Sequence, residues 1–199
     1  MAQLFKRYGE KYLFSLSDFV VLTDESRPSL TVQLARLVKS GVLTRAAQGW
    51  YENPFNPPKP EQIAMVLRHP SYLSLEYALS RRGILSQRVY TLTLITTKLS
   101  YTYSTSTNEY EYHQIKPQLF FGYRKEGGIL IAEPEKALLD LVYIRGVHAS
   151  EMPVDSILSL VDDMEMEEFD LEILSDYEES FDKRTKQIVE RITPITESR

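Results

Sequence analysis

The side chains whose types and spacing could do chemistry gather in the stretch DESRPSLTVQLARLVKSGVLTRAAQGWY, residues 24–51. Arg27, Gln33 and Arg36 are residue types that pair with the edges of guanine or adenine, and Ser29, Thr31 and Lys39 are types that hold phosphate oxygens. Arg45 and Gln48 follow closely and suit contacts to a nucleic-acid backbone or minor groove. The chemistry indicated is recognition of double-stranded DNA. A second cluster, Glu133, Glu135 and Asp140 with Lys136, is loosely of the kind that holds a divalent metal in a nuclease. It reads more simply as a helix start: Pro134 sits in the first turn, acids there complement the helix dipole, and Glu135 points away from Leu138 and Leu141. On that simpler reading the cluster supplies no catalytic residue. His69, His113 and His148 lie far apart without partners at metal-ligand spacing, so neither a metal site nor a cofactor is expected.

The elements that position the first cluster follow from periodicity. Leu30, Leu34, Leu37 and Val38 recur at helical spacing and form one buried stripe, which leaves Ser29, Thr31, Val32, Gln33 and Arg36 outward. Pro28 and the hydroxyl of Ser29 mark the start of this helix, and Ser40-Gly41 its stop. Residues 42–45 read as a strand, 46–49 as a turn and 50–51 as the returning strand, a hairpin that carries Arg45 and Gln48. Upstream, Ser17-Asp18 reads as an N-cap before Phe19, Val20 and Leu22, and Leu4, Phe5 and Tyr8 suggest one more helix beneath. Helix, helix, reading helix and hairpin is the order of a winged helix-turn-helix. The same pattern could serve as a protein-contact module, but the charge favours DNA. Residues 1–60 hold eight Lys and Arg (6, 7, 11, 27, 36, 39, 45, 59) against five acids (10, 18, 24, 25, 52), a net of +3, while the remainder is acidic and brings the chain to −5.

A chain of 199 residues, 43% hydrophobic and 26% charged, suits one sizeable domain plus a small one. The lack of cysteine removes disulfides and thiolate metal sites. With no long uncharged apolar run and no basic-then-apolar leader, the expectation is a cytoplasmic protein with no membrane partner. Four prolines within residues 53–60 mark a stiff connector. The expected organisation is a winged helix-turn-helix DNA-binding domain at 1–53, a proline-rich linker at 54–60, and an α+β effector domain at 61–199 with an acidic helical C-terminal part. In that second domain the patterns predict helices at 61–68 and 74–83. Strands follow at 89–97, 99–105, 109–115, 119–123 and 129–132, forming an antiparallel sheet of four or five strands. Helices resume at 133–144, 154–164, 167–177 and 182–192, so the class is α+β. The tyrosines at 90, 101, 103, 110, 112 and 123, with Phe120 and Phe121, suit cross-strand packing better than a stacking platform for single-stranded nucleic acid.

Four segments carry a family resemblance over roughly residues 5–145: SLTVQLARLVKSGVLTRAAQGWY (29–51), YLSLEYALSRRGI (72–84), HQIKPQLFFGY (113–123) and ILIAEPEKALLDLVY (129–143). Together they resemble AbiEi-type antitoxins, the proteins that neutralise the toxin in type IV toxin-antitoxin systems. The most specific is the last, a strand entering a helix through Glu-Pro-Glu-Lys-Ala-Leu-Leu-Asp. The resemblance implies an N-terminal domain that binds inverted repeats in its own promoter and represses transcription. It implies a C-terminal domain that counters a cognate nucleotidyltransferase-type toxin, directly or indirectly, and it implies no catalytic residue. The alternatives are a one-component winged-helix regulator with a ligand- or protein-binding second domain and no toxin partner, and a metal-dependent nuclease.

Overall fold

Apolar residues scattered through the first fifty-one positions converge on one nucleus of Phe5, Phe14, Phe19, Leu30, Leu34, Leu43 and Tyr51. Phe5 meets Phe14 edge-on at 5.2 Å between ring centroids, and Phe14 stacks on Phe19 at 5.5 Å. The computed structural model describes residues 1–105, 107–148, 159, 161 and 163–192, without the side chains of 147 and 148. The chain divides into two units, Met1–Leu67 and Arg68–Arg199.

In the first unit the order is α1 (Ala2–Arg7), β1 (Leu13–Ser15), α2 (Leu16–Thr23), α3 (Arg27–Lys39), β2 (Arg45–Ala47) and β3 (Trp50–Glu52). The strands form an antiparallel sheet in the order β1-β3-β2, with Leu13 opposite Glu52 and Ser15 opposite Trp50. β1 has no counterpart in the sequence expectation, since three residues are too few to show alternation. Both helix caps sit upstream of their expected places. Ser15 caps α2 in place of Ser17: its Oγ accepts from Asp18 N at 3.0 Å, and its own N donates to Asp18 Oδ2 at 2.6 Å, a reciprocal capping box. Ser26 caps α3 in place of Ser29, because Pro28 fits only within the first turn and the cap must precede it.

The fully buried Asn53 closes this unit. Its Nδ2 donates to Lys11 O at 2.8 Å and, at longer range, to the carbonyls of Phe5 and Tyr8. Asn56 Nδ2 donates to Gly9 O at 2.8 Å. The segment expected as a linker is thereby tied to the end of α1, and α4 (Pro60–Leu67) lies against β2. The division between units consequently falls one helix beyond the proline stretch, after Leu67.

The second unit runs β4 (Ser71–Leu73), α5 (Leu75–Arg81), β5 (Leu92–Thr96), β6 (Tyr101–Ser104), β7 (Glu109–Gln114), β8 (Tyr123–Glu126), β9 (Ile129–Ala132), α6 (Pro134–Leu141), a π-helical turn (Val142–His148), α7 (Leu171–Glu178) and α8 (Lys183–Ile192). The class is α+β, but the sheet is mixed rather than antiparallel. Its order is β6-β7-β5-β4-β9-β8, with β5–β7 and β4–β9 parallel. β7 inserts between β6 and β5, and β4, all three residues buried, inserts between β5 and β9. A short strand buried on both faces shows no alternation, which hid β4 from the sequence pattern. The strand expected at 119–123 is instead a 3₁₀ turn, Pro117–Leu119, followed by Phe120 and Phe121, which pack on Tyr72 and Tyr177. In α8, Thr185, Ile188, Val189 and Ile192 are buried at helical spacing. The helix expected at 154–164 falls largely outside the described residues.

Candidate nucleic-acid interface

The first turn of α2, the N-terminal half of α3 and the β2–β3 hairpin border a surface cleft of about 590 Å³. Its lining includes Ser17, Arg27, Thr31, Arg45 and Gln48, together with Trp50 and Tyr51. Of the residues singled out by sequence, the fold thus brings Arg27, Thr31, Arg45 and Gln48 together. Arg27 and Thr31 are one helical turn apart on the same flank of α3, and Arg45 and Gln48 come from the strand and turn opposite. Gly49 makes that turn possible, at φ 74. Thr31 Oγ1 donates to Arg27 O at 2.8 Å, and Arg45 Nε to Ala47 O at 3.2 Å, with both arginines exposed to solvent. Ser17 is a lining residue that sequence reasoning read only as a cap. Once Ser15 takes the cap, Ser17 falls in the first turn of α2, at the positive end of the helix dipole.

The acid of that turn, Asp18, is occupied internally. Burial works to raise its pKa. The hydrogen bonds from Lys11, at 2.9 Å, and from Ser15 outweigh burial and hold it below the ordinary value.

Ser29 and Gln33 lie on a different flank of α3, since two residues turn a helix by about 200° and separate Gln33 from Thr31. Both are held by Glu25, from the turn between α2 and α3. Ser29 Oγ donates to Glu25 Oε2 at 3.1 Å, while Gln33 Nε2 donates to the same carboxylate oxygen and to Ser29 Oγ, the latter at 3.2 Å. A serine holds a phosphate by donating its proton, and here that proton is committed to Glu25. Glu25 was not among the sequence candidates, although the spacing Glu25, Ser29, Gln33 places all three one turn apart. Between the two flanks, Val32, Arg36 and Lys39 form an outward stripe, with Val32 51% exposed.

The carboxylates of the 133–140 segment each meet a protein partner. Glu133 is bonded by Arg124 and by the hydroxyl of Tyr177. Burial works to raise Glu133, but these two bonds outweigh it and hold the carboxyl below its ordinary value, while the shared hydrogen bond pushes Tyr177 up to about 12. Glu135, 4% exposed, accepts from Asp170 N at 2.8 Å. Asp140 is wholly buried: Lys136 donates to its Oδ1, and Tyr72 and Ser74 donate to its Oδ2 at 2.9 and 2.8 Å. The ammonium of Lys136, also wholly buried, lies 5.1–5.6 Å from the ring centroids of Phe181, Phe121 and Tyr72. Among the described residues no group of three His, Cys, Asp or Glu could hold a metal ion. Tyr110 and Tyr112 are buried opposite Tyr103 and Tyr101 in the sheet, which is cross-strand packing.

Among the described residues no helix is long and apolar enough to cross a membrane. Compared with known proteins, the chain matches no family model and no curated sequence.

Proposed function

We propose that this chain is a cytoplasmic DNA-binding transcription regulator whose first unit is a winged helix-turn-helix, and that it acts as the autorepressing antitoxin of a nucleotidyltransferase-type toxin. The observation that carries the DNA-binding part is the cleft between α2, α3 and the hairpin, where two exposed guanidiniums, Arg27 and Arg45, flank the hydroxyls of Ser17 and Thr31 and the amide of Gln48. The hydroxyl proton of Thr31 goes to Arg27 O, and the other four side chains are of the types that donate to the anionic oxygens of a sugar-phosphate strand. On this reading α3 enters the major groove with Val32 toward a thymine methyl, Arg36 toward guanine O6 and N7, and Lys39 at a phosphate, while the β2–β3 hairpin acts as the wing. Residues 1–67 hold eight basic residues against six acidic ones. So slight an excess suits two copies on an inverted repeat, each placing a few cations, better than one copy bound by general charge.

The antitoxin role rests on the resemblance of the second unit's segments, and the partner would be the cognate toxin. The buried fates of Glu135, Lys136 and Asp140 give a physical reason for so specific a segment: these residues hold the unit together.

A gel-shift titration of the full chain on the DNA immediately upstream of its own gene, with random competitor at two salt concentrations, tests the proposal. Operator binding should exceed random binding and weaken with salt. Arg36→Ala should lose operator preference, and Lys39→Ala should weaken all sequences alike. Equal affinity of the wild-type chain for operator and random DNA would overturn it.

A further inference from the structure

The three-residue cluster on α3 fixes what one flank of that helix can offer a base. An amide nitrogen has two protons to donate, and both protons of Gln33 Nε2 have a partner, one on Glu25 Oε2 and one on Ser29 Oγ. The hydroxyl proton of Ser29 goes to the same carboxylate oxygen. Glu25 can only accept, so the amide cannot be turned the other way round without setting oxygen against oxygen. What this flank has left is acceptors: Gln33 Oε1 and Glu25 Oε1, neither with a hydrogen-bond partner among the described residues.

We infer that Glu25 is a positioning residue for sequence specificity, orienting Gln33 so that it reads the exocyclic amino group of adenine or cytosine in the major groove. This rests on the proposal that α3 reads DNA. A free glutamine at such a position favours adenine, because it donates to N7 while accepting from N6. With both donors taken, the N7 contact is lost and only the acceptor remains. Adenine N6 and cytosine N4 satisfy that acceptor equally, whereas guanine O6 and thymine O4 are themselves acceptors and are rejected. The reader is thereby changed from an adenine reader into an amino-group reader.

Selection from a randomised double-stranded DNA library with the full chain tests this, with each variant's helix content checked by circular dichroism. The wild-type chain should accept adenine or cytosine over guanine or thymine at one position of its site, and Gln33→Ala should abolish that preference. Glu25→Ala and, separately, Ser29→Ala each return one donor to Gln33, so both should turn the same position toward adenine alone. The adenine-over-cytosine ratio should rise by roughly 5- to 150-fold, the worth of a good bidentate pair. If both variants leave the preference at every position as in the wild type, or alter affinity equally on all sequences, the inference is overturned. A wild-type chain that selects no sequence overturns the DNA-binding proposal and this inference with it.

Discussion

Replacing Lys136 by methionine should destabilise the second unit sharply, and replacing Asp140 by asparagine at the same time should restore about half of the loss. Lys136 and Asp140 are both wholly buried, so neither charge is compensated by water. Burial draws the lysine pKa down and the aspartate pKa up, and each charge is kept by the other. Methionine keeps the length of the stem among the rings of Tyr72, Phe121 and Phe181, so little cavity forms and the cost is electrostatic. A buried carboxylate left with only the hydroxyls of Tyr72 and Ser74 costs about 3–5 kcal/mol. Asp140→Asn keeps an oxygen for those hydroxyls but strands the ammonium, at about 2–4 kcal/mol, less because lysine can shed its proton. In the double variant no charge is buried and the amide NH2 lacks acceptors for its protons, at about 1–3 kcal/mol. The singles should therefore be non-additive by about 3 kcal/mol or more. Equilibrium urea unfolding by circular dichroism measures this, and Trp50, the only tryptophan, reports the first unit separately. Additive single effects, or a loss below about 1 kcal/mol in Lys136→Met, would refute the reasoning.

Two further outcomes are expected. At Gly122, φ is 68 and an added Cβ would lie 2.9 Å from Lys136 Cγ and 3.0 Å from Tyr177 Cε2, so Gly122→Ala should cost about 2–5 kcal/mol in urea unfolding. Gly41→Ala, at φ 73 with open space around it, should cost only about 1–2 kcal/mol, and the reverse ranking would contradict the role given to this contact. His113 has its pKa lowered below 6.5 by burial and then by Arg145, against the opposing pull of Glu111. As pH falls through 6.5 the unfolded chain takes the proton first, so stability present above 6.5 declines until the folded pKa is reached. His113→Gln should flatten that part of the stability curve, and an unchanged slope would remove His113 from the pH response.

The apolar stripe of α3 and the existence of α8 were legible in the sequence because each helix spans two turns or more. The short strands were not: β1 and β4 have three residues each, and β4 is buried throughout, so neither carries a period to read. The parallel pairs β5–β7 and β4–β9 depend on which strand inserts where, which no local pattern records. The eight residues singled out for DNA lie in the first unit, but the fold sorts them by flank. Helix angle sends Arg27 and Thr31 to the hairpin side and Ser29 and Gln33 to Glu25, and a list of residue types ignores that angle. Glu133 and Glu135 do lie at a helix start with Pro134 in its first turn, whereas Asp140 lies in the last turn of that helix. The burial of Lys136 and Asp140 was hidden because the two neutralise each other inside the unit, so charged residues stand where apolar ones would be expected.

The most direct measurement is the salt dependence of the full chain's affinity for its upstream DNA, comparing wild type with Arg27→Ala/Arg45→Ala and with Lys125→Ala, an exposed change on β8 in the other unit. If Arg27 and Arg45 each neutralise a phosphate from the cleft, the slope of log K against log salt should fall by about 1.8 in the double variant and stay unchanged in Lys125→Ala. An unaltered slope in the double variant, with binding otherwise intact, would place the DNA elsewhere and contradict the interface.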